Sequence, residues 1–317
     1  MAGPAAGLRE TQFDLRKVPA MMQMPTRTTM VSYPSRRPRL AFVLGSGGVR
    51  SIAAVGIAEV LEREGVRPDL VVGCSSGALF CATIALGMTP AQALRTATEL
   101  WSQELTRQHR WRGWLQLLAP KLTGFNAEFA LRDTRLIEQR IRDAFGQRCL
   151  EDTPTALRVA ATDAASGEPV VLTKGRLADA LRASIALPFL FPSVTVDGRR
   201  LVDGVISDPL PLSAAADARA VIALGFHGSM PRQVDRPSRL LAQVSTAMIN
   251  NLMKARNAAA RAAGQRVLHL ELALERRVGL FETAALPYLY EAGRRAALAQ
   301  LPQIMAIVEG RASRAIA

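Results

Sequence analysis

The stretch Val71-Val-Gly-Cys-Ser-Ser-Gly-Ala-Leu-Phe80 leads a β-branched run into two serines that stand between glycines. Leu70-Val-Val72 predicts a buried strand, and the alanine- and leucine-rich residues 78–86 predict a helix directly after it. A strand that turns sharply into a helix around G-x-S-x-G spacing is typical of a nucleophile elbow, whose middle residue is lifted above the sheet. That residue is Ser75, and Ser76 is expected to cap the helix.

A second glycine turn lies one helix earlier in the chain. Leu40-Ala-Phe-Val-Leu44 is a short apolar run, Gly45-Ser-Gly-Gly48 follows it, and apolar residues at helical spacing continue to Leu61. Consecutive glycines allow backbone N–H groups to converge on one point, which is what an oxyanion requires. A phosphate-binding loop is the rival interpretation, but a dinucleotide fingerprint would need glycine where Arg50 stands, and the P-loop lysine is missing.

Two strand–turn–helix units in succession predict an α/β fold with three layers, α/β/α, around a mostly parallel central sheet. Asp197-Gly198 stands between two short apolar runs and predicts a hairpin, with Asp203 at the end of its second arm. Further along we expect strands at 220–226 and 266–272, a long helix at 238–263 and a single C-terminal helix at 284–309.

Two features bear on the cellular location. Residues 70–94 carry no charge and are long enough for a membrane span, but glycines, serines and Pro90 interrupt them, so a strand followed by a helix is the better interpretation. Cys74, Cys81 and Cys149 are odd in number and lack metal-ligand spacing, which suits reduced thiols. We therefore expect a cytoplasmic protein without a metal or another cofactor.

The chain is strongly basic and points to an anionic partner. Its formal charge is +13, and with only four lysines, arginine supplies 36 of the 40 basic residues. Guanidinium groups favour phosphate and carboxylate, so an anionic membrane and nucleic acid both fit, but we find no nucleic-acid recognition module. Residues 1–38 are expected to form a flexible basic arm. Trp101, Trp111 and Trp114, interleaved with arginines, suit either contact with an anionic membrane or packing over the sheet.

Together these motifs resemble the patatin-like phospholipase family, particularly its bacterial serine lipid acyl hydrolases. The glycine-rich segment of that family is matched by Ser46-Gly-Gly-Val-Arg-Ser51, its G-x-S-x-G by residues 73–77 and its D-G-[GA] by Asp203-Gly-Val205. Ser46 and Ser51 replace glycines, and Ser46 is expected to narrow the oxyanion loop. Val205 replaces a small residue and is expected to crowd the turn of the aspartate. The resemblance, over residues 40–216, implies a patatin-like core at 39–216 that residues 217–317 complete as one domain.

The resemblance also implies a Ser-Asp dyad, with Ser75 as nucleophile, Asp203 as base and no histidine between them. It implies that the amides of Gly47, Gly48 and Val49 form the oxyanion hole. The supporting motif residues are Gly45, Arg50, Gly73, Gly77 and Gly204, of which Arg50 is expected to anchor the loop or meet a phosphate. A free aspartate, with a pKa of about 3.9, is a weak base, so the dyad requires a partly desolvated pocket.

We therefore expect a serine lipid acyl hydrolase that acts on phospholipid or another acyl ester and contacts the membrane peripherally. One alternative is a carboxylesterase or thioesterase acting on soluble esters. Another is a catalytically weak, membrane-binding regulatory protein that keeps the fold. His227 leaves a mechanistic alternative, because Ser75, Asp203 and His227 follow the chain order of an α/β-hydrolase triad. An aspartate within a hairpin argues against that triad.

Overall fold

One eight-stranded sheet organises the residues that the computed structural model describes, which are 37–100, 122, 129–231 and 233–310. The strands are β1 (Leu40–Leu44), β2 (Leu70–Cys74), β3 (Ala156–Asp163), β4 (Pro169–Leu172), β5 (Val194–Val196), β6 (Arg199–Asp203), β7 (Ala220–Leu224) and β8 (Val267–His269). Their order is β5-β6-β3-β2-β1-β7-β8, and β4 pairs with β3 off this path. The central strands β3, β2, β1, β7 and β8 are parallel, as predicted.

Eight helices accompany the sheet. They are α1 (Ala53–Arg63), α2 (Ser76–Ala85), α3 (Pro90–Leu100), α4 (Arg135–Phe145), α5 (Leu177–Ser184), α6 (Pro237–Ala262), α7 (Leu286–Ala299) and α8 (Leu301–Val308), counted over the described ranges. Side chains of a strand alternate between faces, and β1 accordingly sends Phe42 into one apolar cluster and Val43 into another. Helices α1, α2 and α7 build the first cluster, and Met253 of α6 joins the second. The predicted three layers are confirmed.

The three central strands β1, β2 and β7 are buried at every position. Such continuous burial is expected of parallel strands covered on both faces. The uncharged segment 70–94 divides into β2, α2 and the first turns of α3, as predicted. In the described part of the chain, no helix combines the length and the apolar content that crossing a bilayer would require.

The structure differs from the expected elements near the C-terminus and before the hairpin. The expected single helix at 284–309 is two helices, because α7 ends at Ala299 and α8 restarts at Leu301 with a proline in its first turn. Proline has no backbone N–H to continue the preceding helix. Helix α5 was not expected; it is only eight residues long, and all of them except Asp179 and Arg182 are buried. Strand β8 is shorter than predicted.

The register on β3 determines where two chain ends meet. Along β3, the partner strand is β2 as far as Ala160, which lies opposite Cys74. From Ala161 onward the partner is β6, whose last residue, Asp203, lies opposite Ala161. The residue that follows Cys74 therefore emerges beside Asp203, although the two segments are far apart in sequence.

Candidate active site

Ser75 lies in a sharp turn between β2 and α2, at the position predicted for the elbow. Its φ of 56° and ψ of −130° lie outside the regions that side-chain-bearing residues favour. The turn closes only because its flanking glycines lack Cβ atoms: one at Gly73 would come 2.4 Å from the Cα of Ala78, and one at Gly77 would come 2.6 Å from the carbonyl oxygen of Gly45. The sequence around Ser75 thus enforces a strained, outward-directed hydroxyl.

Ser75 and Asp203 are in direct contact. Ser75 Oγ donates a hydrogen bond to Asp203 Oδ2 at 2.8 Å, between residues 128 positions apart. The backbone N–H of Ser75 donates to Ser184 Oγ, which in turn donates to the Ala160 carbonyl. Ser184, at the end of α5, therefore fixes the elbow onto β3. Sequence reasoning missed Ser184, because only the folded chain brings α5 to the elbow.

Asp203 is held on both its backbone and its carboxylate. Its Oδ1 accepts the Val205 N–H at 2.9 Å, and its carbonyl accepts the hydroxyl of Thr162. Gly204 permits this turn, since a Cβ there would come 2.6 Å from the Ala160 carbonyl oxygen. Val205, which was expected to crowd the turn, instead packs beside Cys74 and Ala160 and supplies the N–H that orients the carboxylate.

Burial changes the chemistry of Asp203. The residue is 2% exposed, and desolvation raises the pKa of its carboxyl to about 7, against the lowering effect of the Val205 and Ser75 hydrogen bonds. A carboxylate whose pKa is raised by desolvation is a stronger base than a solvated one. The aspartate can therefore accept a proton near neutral pH.

The glycine turn after β1 is tied to its surroundings by most of its amides. The N–H groups of Gly45 and Ser46 donate to the carbonyls of Leu224 and Pro209. Gly47 N–H donates to Ser76 Oγ at 3.2 Å, and Val49 N–H donates to the Leu280 carbonyl at 3.0 Å. Of the three amides assigned to the oxyanion hole, only Gly48 N–H has no acceptor among the described residues.

Ser76 does not cap α2 as expected. It is the first residue of that helix, makes no capping bond, and instead accepts the Gly47 N–H. Its hydroxyl also shares a 3.0 Å hydrogen bond with Ser51 Oγ. Ser51 is fully buried, so its hydroxyl fills the place of the family glycine and connects the glycine turn to the elbow.

Arg50 anchors the glycine turn, one of its two expected roles. Its guanidinium donates to the carbonyls of Gly47 and His227 at 3.2 Å each and lies over the Phe226 ring, 5.1 Å from the centroid. Burial lowers the pKa of Arg50. His227 takes part here through its carbonyl, and because the contact of Ser75 with Asp203 is direct, no imidazole lies between them.

A second buried carboxylate, Asp208, lies five residues after Asp203. It is 2% exposed, its Oδ2 accepts the Ser213 hydroxyl at 2.6 Å, and its Oδ1 has no hydrogen-bond partner among the described residues. Desolvation raises its pKa to about 6. The neighbouring Pro209 carbonyl holds Ser46, so this segment connects the aspartate turn to the glycine turn.

The surfaces assigned to membrane contact cannot be located on this fold. Trp101, Trp111, Trp114 and residues 1–36 of the expected arm lie outside the described residues.

Comparison with known proteins gives one family. The family model described as Patatin-like phospholipase matches residues 42–216. An uncharacterized NTE family protein of Mycobacterium tuberculosis is 34% identical over 208 residues, which are 65% of this chain and 54% of that protein. Patatin-like phospholipase domain-containing protein 7 of Rattus norvegicus is 30% identical over 67% of this chain and 16% of that protein. The chain spans about half the length of the mycobacterial relatives it matches.

Among solved structures, that of VipD from Legionella pneumophila aligns with 84% of this chain and 67% of its own, at a TM-score of 0.43 and 14% identity.

Proposed function

Because the chain belongs to the patatin-like phospholipase family, we propose that it is a serine lipid acyl hydrolase that cleaves fatty-acyl esters at Ser75. The observation that carries this proposal is the 2.8 Å hydrogen bond from the Ser75 hydroxyl to the buried Asp203 carboxylate. A nucleophile and a base within hydrogen-bonding reach are the requirement for an activated serine.

The first step transfers the acyl group to the enzyme. Ser75 Oγ attacks the ester carbonyl carbon while its proton passes to Asp203 Oδ2. The carbonyl oxygen becomes an oxyanion, which Gly48 N–H and the positive end of α2 stabilise. The carbon–oxygen bond to the leaving alcohol then breaks, and that oxygen takes the proton back from Asp203.

The second step releases the fatty acid. A water molecule gives its proton to Asp203 as it attacks the acyl-enzyme, and Ser75 Oγ leaves and regains that proton. Asp203 returns to its starting state after each turnover, so its pKa of about 7 suits a group that must both accept and return a proton. Every step uses residues of this chain alone, and the scheme therefore needs no metal or cofactor.

The proposed substrate is a lipid ester presented as a phospholipid or lysophospholipid. The family supports a lipid ester hydrolase, and the +13 charge of the chain suits a substrate that carries phosphate. We also propose a cytoplasmic protein that contacts membranes peripherally, with the basic arm and Trp101, Trp111 and Trp114 as contributors.

A fluorophosphonate probe, which bonds covalently to an activated serine, tests the nucleophile. We expect the wild type to label and Ser75→Ala not to label, while Ser166→Ala, an exposed serine in the turn after β3, labels normally. The His227→Ala variant should keep its labelling and its hydrolysis of a soluble ester. Labelling of Ser75→Ala would refute the assignment, and a loss of activity in His227→Ala would favour the triad.

Substrate class is tested by presenting one acyl group in two forms. Release of fatty acid from phospholipid vesicles at a higher rate than from a short soluble ester supports the lipid hydrolase. Faster cleavage of the soluble ester favours the carboxylesterase, and no turnover of either favours a regulatory protein.

A further inference from the structure

Helix α6 runs antiparallel to the central strands and extends beyond the edge of the sheet that carries Ser75. Its C-terminus leads directly into β8, which begins beside the first half of β7. Asn250 of α6 exchanges two hydrogen bonds with the backbone of Gly228, a residue that lies past the carboxyl end of β7. Residues 237–248 precede that contact, and at 1.5 Å per residue they extend about 18 Å past the strand ends.

These first turns carry an apolar stripe that no described residue covers. The stripe consists of Leu240, Leu241, Val244 and Met248, which are 52%, 60%, 48% and 67% exposed. Successive helix residues are about 100° apart, so the four side chains fall within about 100° of the helix circumference. Thr246 and Asn250, which contact Gly228, lie on the opposite side. The stripe therefore faces away from the domain.

Large apolar side chains are confined to the part of this face that overhangs the site. Beyond Met248 the same face continues with Asn251, Ala255 and Ala258. Ile249, the next residue after Met248, packs against the cluster of Cys74 and Val205, which lie one residue before Ser75 and two residues after Asp203. The C-terminal end of the stripe, at Met248, thus lies within one helical turn of the site, on the side from which a substrate would approach.

The charge of the helix indicates the chemistry of its partner. Helix α6 contains no acidic residue. At its start, Arg236 and Arg239 share the single carboxylate of Asp235, so these three residues leave one net positive charge beside the stripe. Arg256 donates to the Ser207 carbonyl, and Lys254 and Arg261 lie in the second half of the helix. An apolar stripe on a cationic helix is the pattern by which helices lie in the interface of an anionic membrane. A second copy of this chain would bring a second acid-free helix, so like charges would oppose that pairing.

We propose that residues 237–248 of α6 form a docking surface for an anionic phospholipid bilayer. The stripe inserts among the acyl chains, the guanidinium groups of Arg236 and Arg239 at the start of the helix meet the headgroup phosphates, and the overhang places the carboxyl edge of the sheet against the lipid. This proposal rests on the proposed function, since it explains how an ester held in a membrane reaches Ser75.

The test measures binding apart from catalysis, in protein carrying Ser75→Ala so that the vesicles stay intact. Sedimentation with phosphatidylcholine vesicles, with and without phosphatidylglycerol, compares this parent with Leu241→Gln/Met248→Gln. The matched control is Leu298→Gln, at a side chain that is 53% exposed on α7. Thermal unfolding midpoints of all three proteins establish that each is folded.

We expect the parent and the control to bind the anionic vesicles more tightly than the neutral ones. The double variant should bind the anionic vesicles about tenfold more weakly, because two apolar side chains no longer leave water. Equal binding by parent and double variant would overturn the proposal. A parent that is dimeric without lipid, and a double variant that is monomeric, would assign the stripe to a second copy instead.

A second measurement separates this proposal from the proposed function. Hydrolysis of a soluble ester by the chain with Ser75 intact depends on the dyad and not on vesicle binding. Absence of that hydrolysis with normal vesicle binding contradicts the hydrolase and leaves the docking surface standing. Normal hydrolysis with no vesicle binding contradicts the docking surface and leaves the hydrolase standing.

Discussion

At the scale of single residues, the position of Asp203 matters as much as its chemical type. Desolvation raises the pKa of this carboxyl to about 7, while two hydrogen bonds retain a fraction in the charged form. Aspartate in water would be ionised but too weakly basic to take a proton from serine. The buried site thus gives up some stability of the folded chain in return for basicity.

Activity should rise with pH through the pKa of Asp203. Only the ionised carboxylate accepts the Ser75 proton, so we expect the rate of fluorophosphonate labelling to increase as pH passes about 7 and then to level off. The measurement is the labelling rate from pH 5 to pH 9. Asp208→Asn removes the neighbouring carboxyl, whose pKa is also raised, and this variant should retain the inflection near pH 7. Loss of the inflection in Asp208→Asn would show that it belongs to Asp208 and not to Asp203.

Asp203→Asn should be inactive yet more stable at alkaline pH. A carboxyl whose folded pKa lies above its unfolded pKa binds more protons when folded, so stability falls as pH rises from about 3.8 to about 7. Asparagine does not titrate, so the variant avoids the cost of ionising a buried carboxyl. That cost is at most about 4 kcal/mol of folding free energy when the folded pKa lies about three units above the unfolded one.

Chemical denaturation at pH 5 and pH 8 measures this effect. The stability gain of Asp203→Asn over wild type should be larger at pH 8. A gain that is equal at both pH values would show that ionisation of Asp203 does not oppose folding.

At the scale of secondary-structure elements, the site depends on two turns that fasten each other. Ser76 in the first turn of α2 accepts the Gly47 N–H and shares a hydrogen bond with Ser51. The elbow and the glycine turn therefore cannot move independently. Because Leu280 accepts the Val49 N–H, the segment before α7 also holds this turn, and the Gly48 N–H is left to meet an oxyanion.

Ser51 and Ser76 should be energetically coupled. Ser76→Ala leaves the Gly47 N–H without its acceptor, so we expect a loss of about 1–3 kcal/mol of stability together with slower ester hydrolysis. Ser51→Ala should cost less, because it removes one hydroxyl contact.

A double-mutant cycle of these two serines, measured by denaturation and by kcat, tests the connection. The double variant should lose less than the sum of the single variants, by about 0.5 kcal/mol or more. Strict additivity would mean that the two turns are independent.

At the scale of the whole molecule, the proposed active site lies at the carboxyl edge of the sheet, while buried polar contacts elsewhere stabilise the fold. Arg158 is the third residue of β3, and its guanidinium donates hydrogen bonds to both carboxylate oxygens of Asp217 and to the Ala214 carbonyl. Its side chain is 5% exposed. The pair joins β3 to the segment between β6 and β7, away from the reacting residues.

Asp217→Asn should destabilise the fold without changing the chemistry. Removing one partner leaves the Arg158 charge buried and poorly compensated, which typically costs about 3–5 kcal/mol. Arg67→Met, which breaks the exposed pair with Glu62, should cost less than about 1 kcal/mol. Urea denaturation gives both values, and the labelling rate of folded Asp217→Asn should match wild type. A cost as small as that of Arg67→Met would contradict the structural role.

Much of the fold follows from local patterns, while the proposed pair of Ser75 and Asp203 came from the resemblance to the family. The apolar runs at β1, β2 and β7, the two glycine turns and the Asp197-Gly198 hairpin are each legible over a few residues, because strand burial and tight turns restrict residue type locally. Helix α5 and the break between α7 and α8 were not predicted. Helix α5 is too short for its pattern to stand out, whereas Pro302 in the first turn of α8 was a local signal for the break that the prediction of one helix overlooked.

The sequence by itself determined the glycine turn and the elbow with Ser75, because backbone strain at these turns admits few residue types, and its resemblance to the family made Asp203 the candidate base. Only the tertiary structure decided that β6 continues along β3 where β2 ends, which brings the serine to the aspartate. It also decided that Asp203 is buried deeply enough for desolvation to raise its pKa, and that α6 presents its apolar stripe to solvent. Desolvation and contact arise between segments distant in the chain, and no local pattern encodes them.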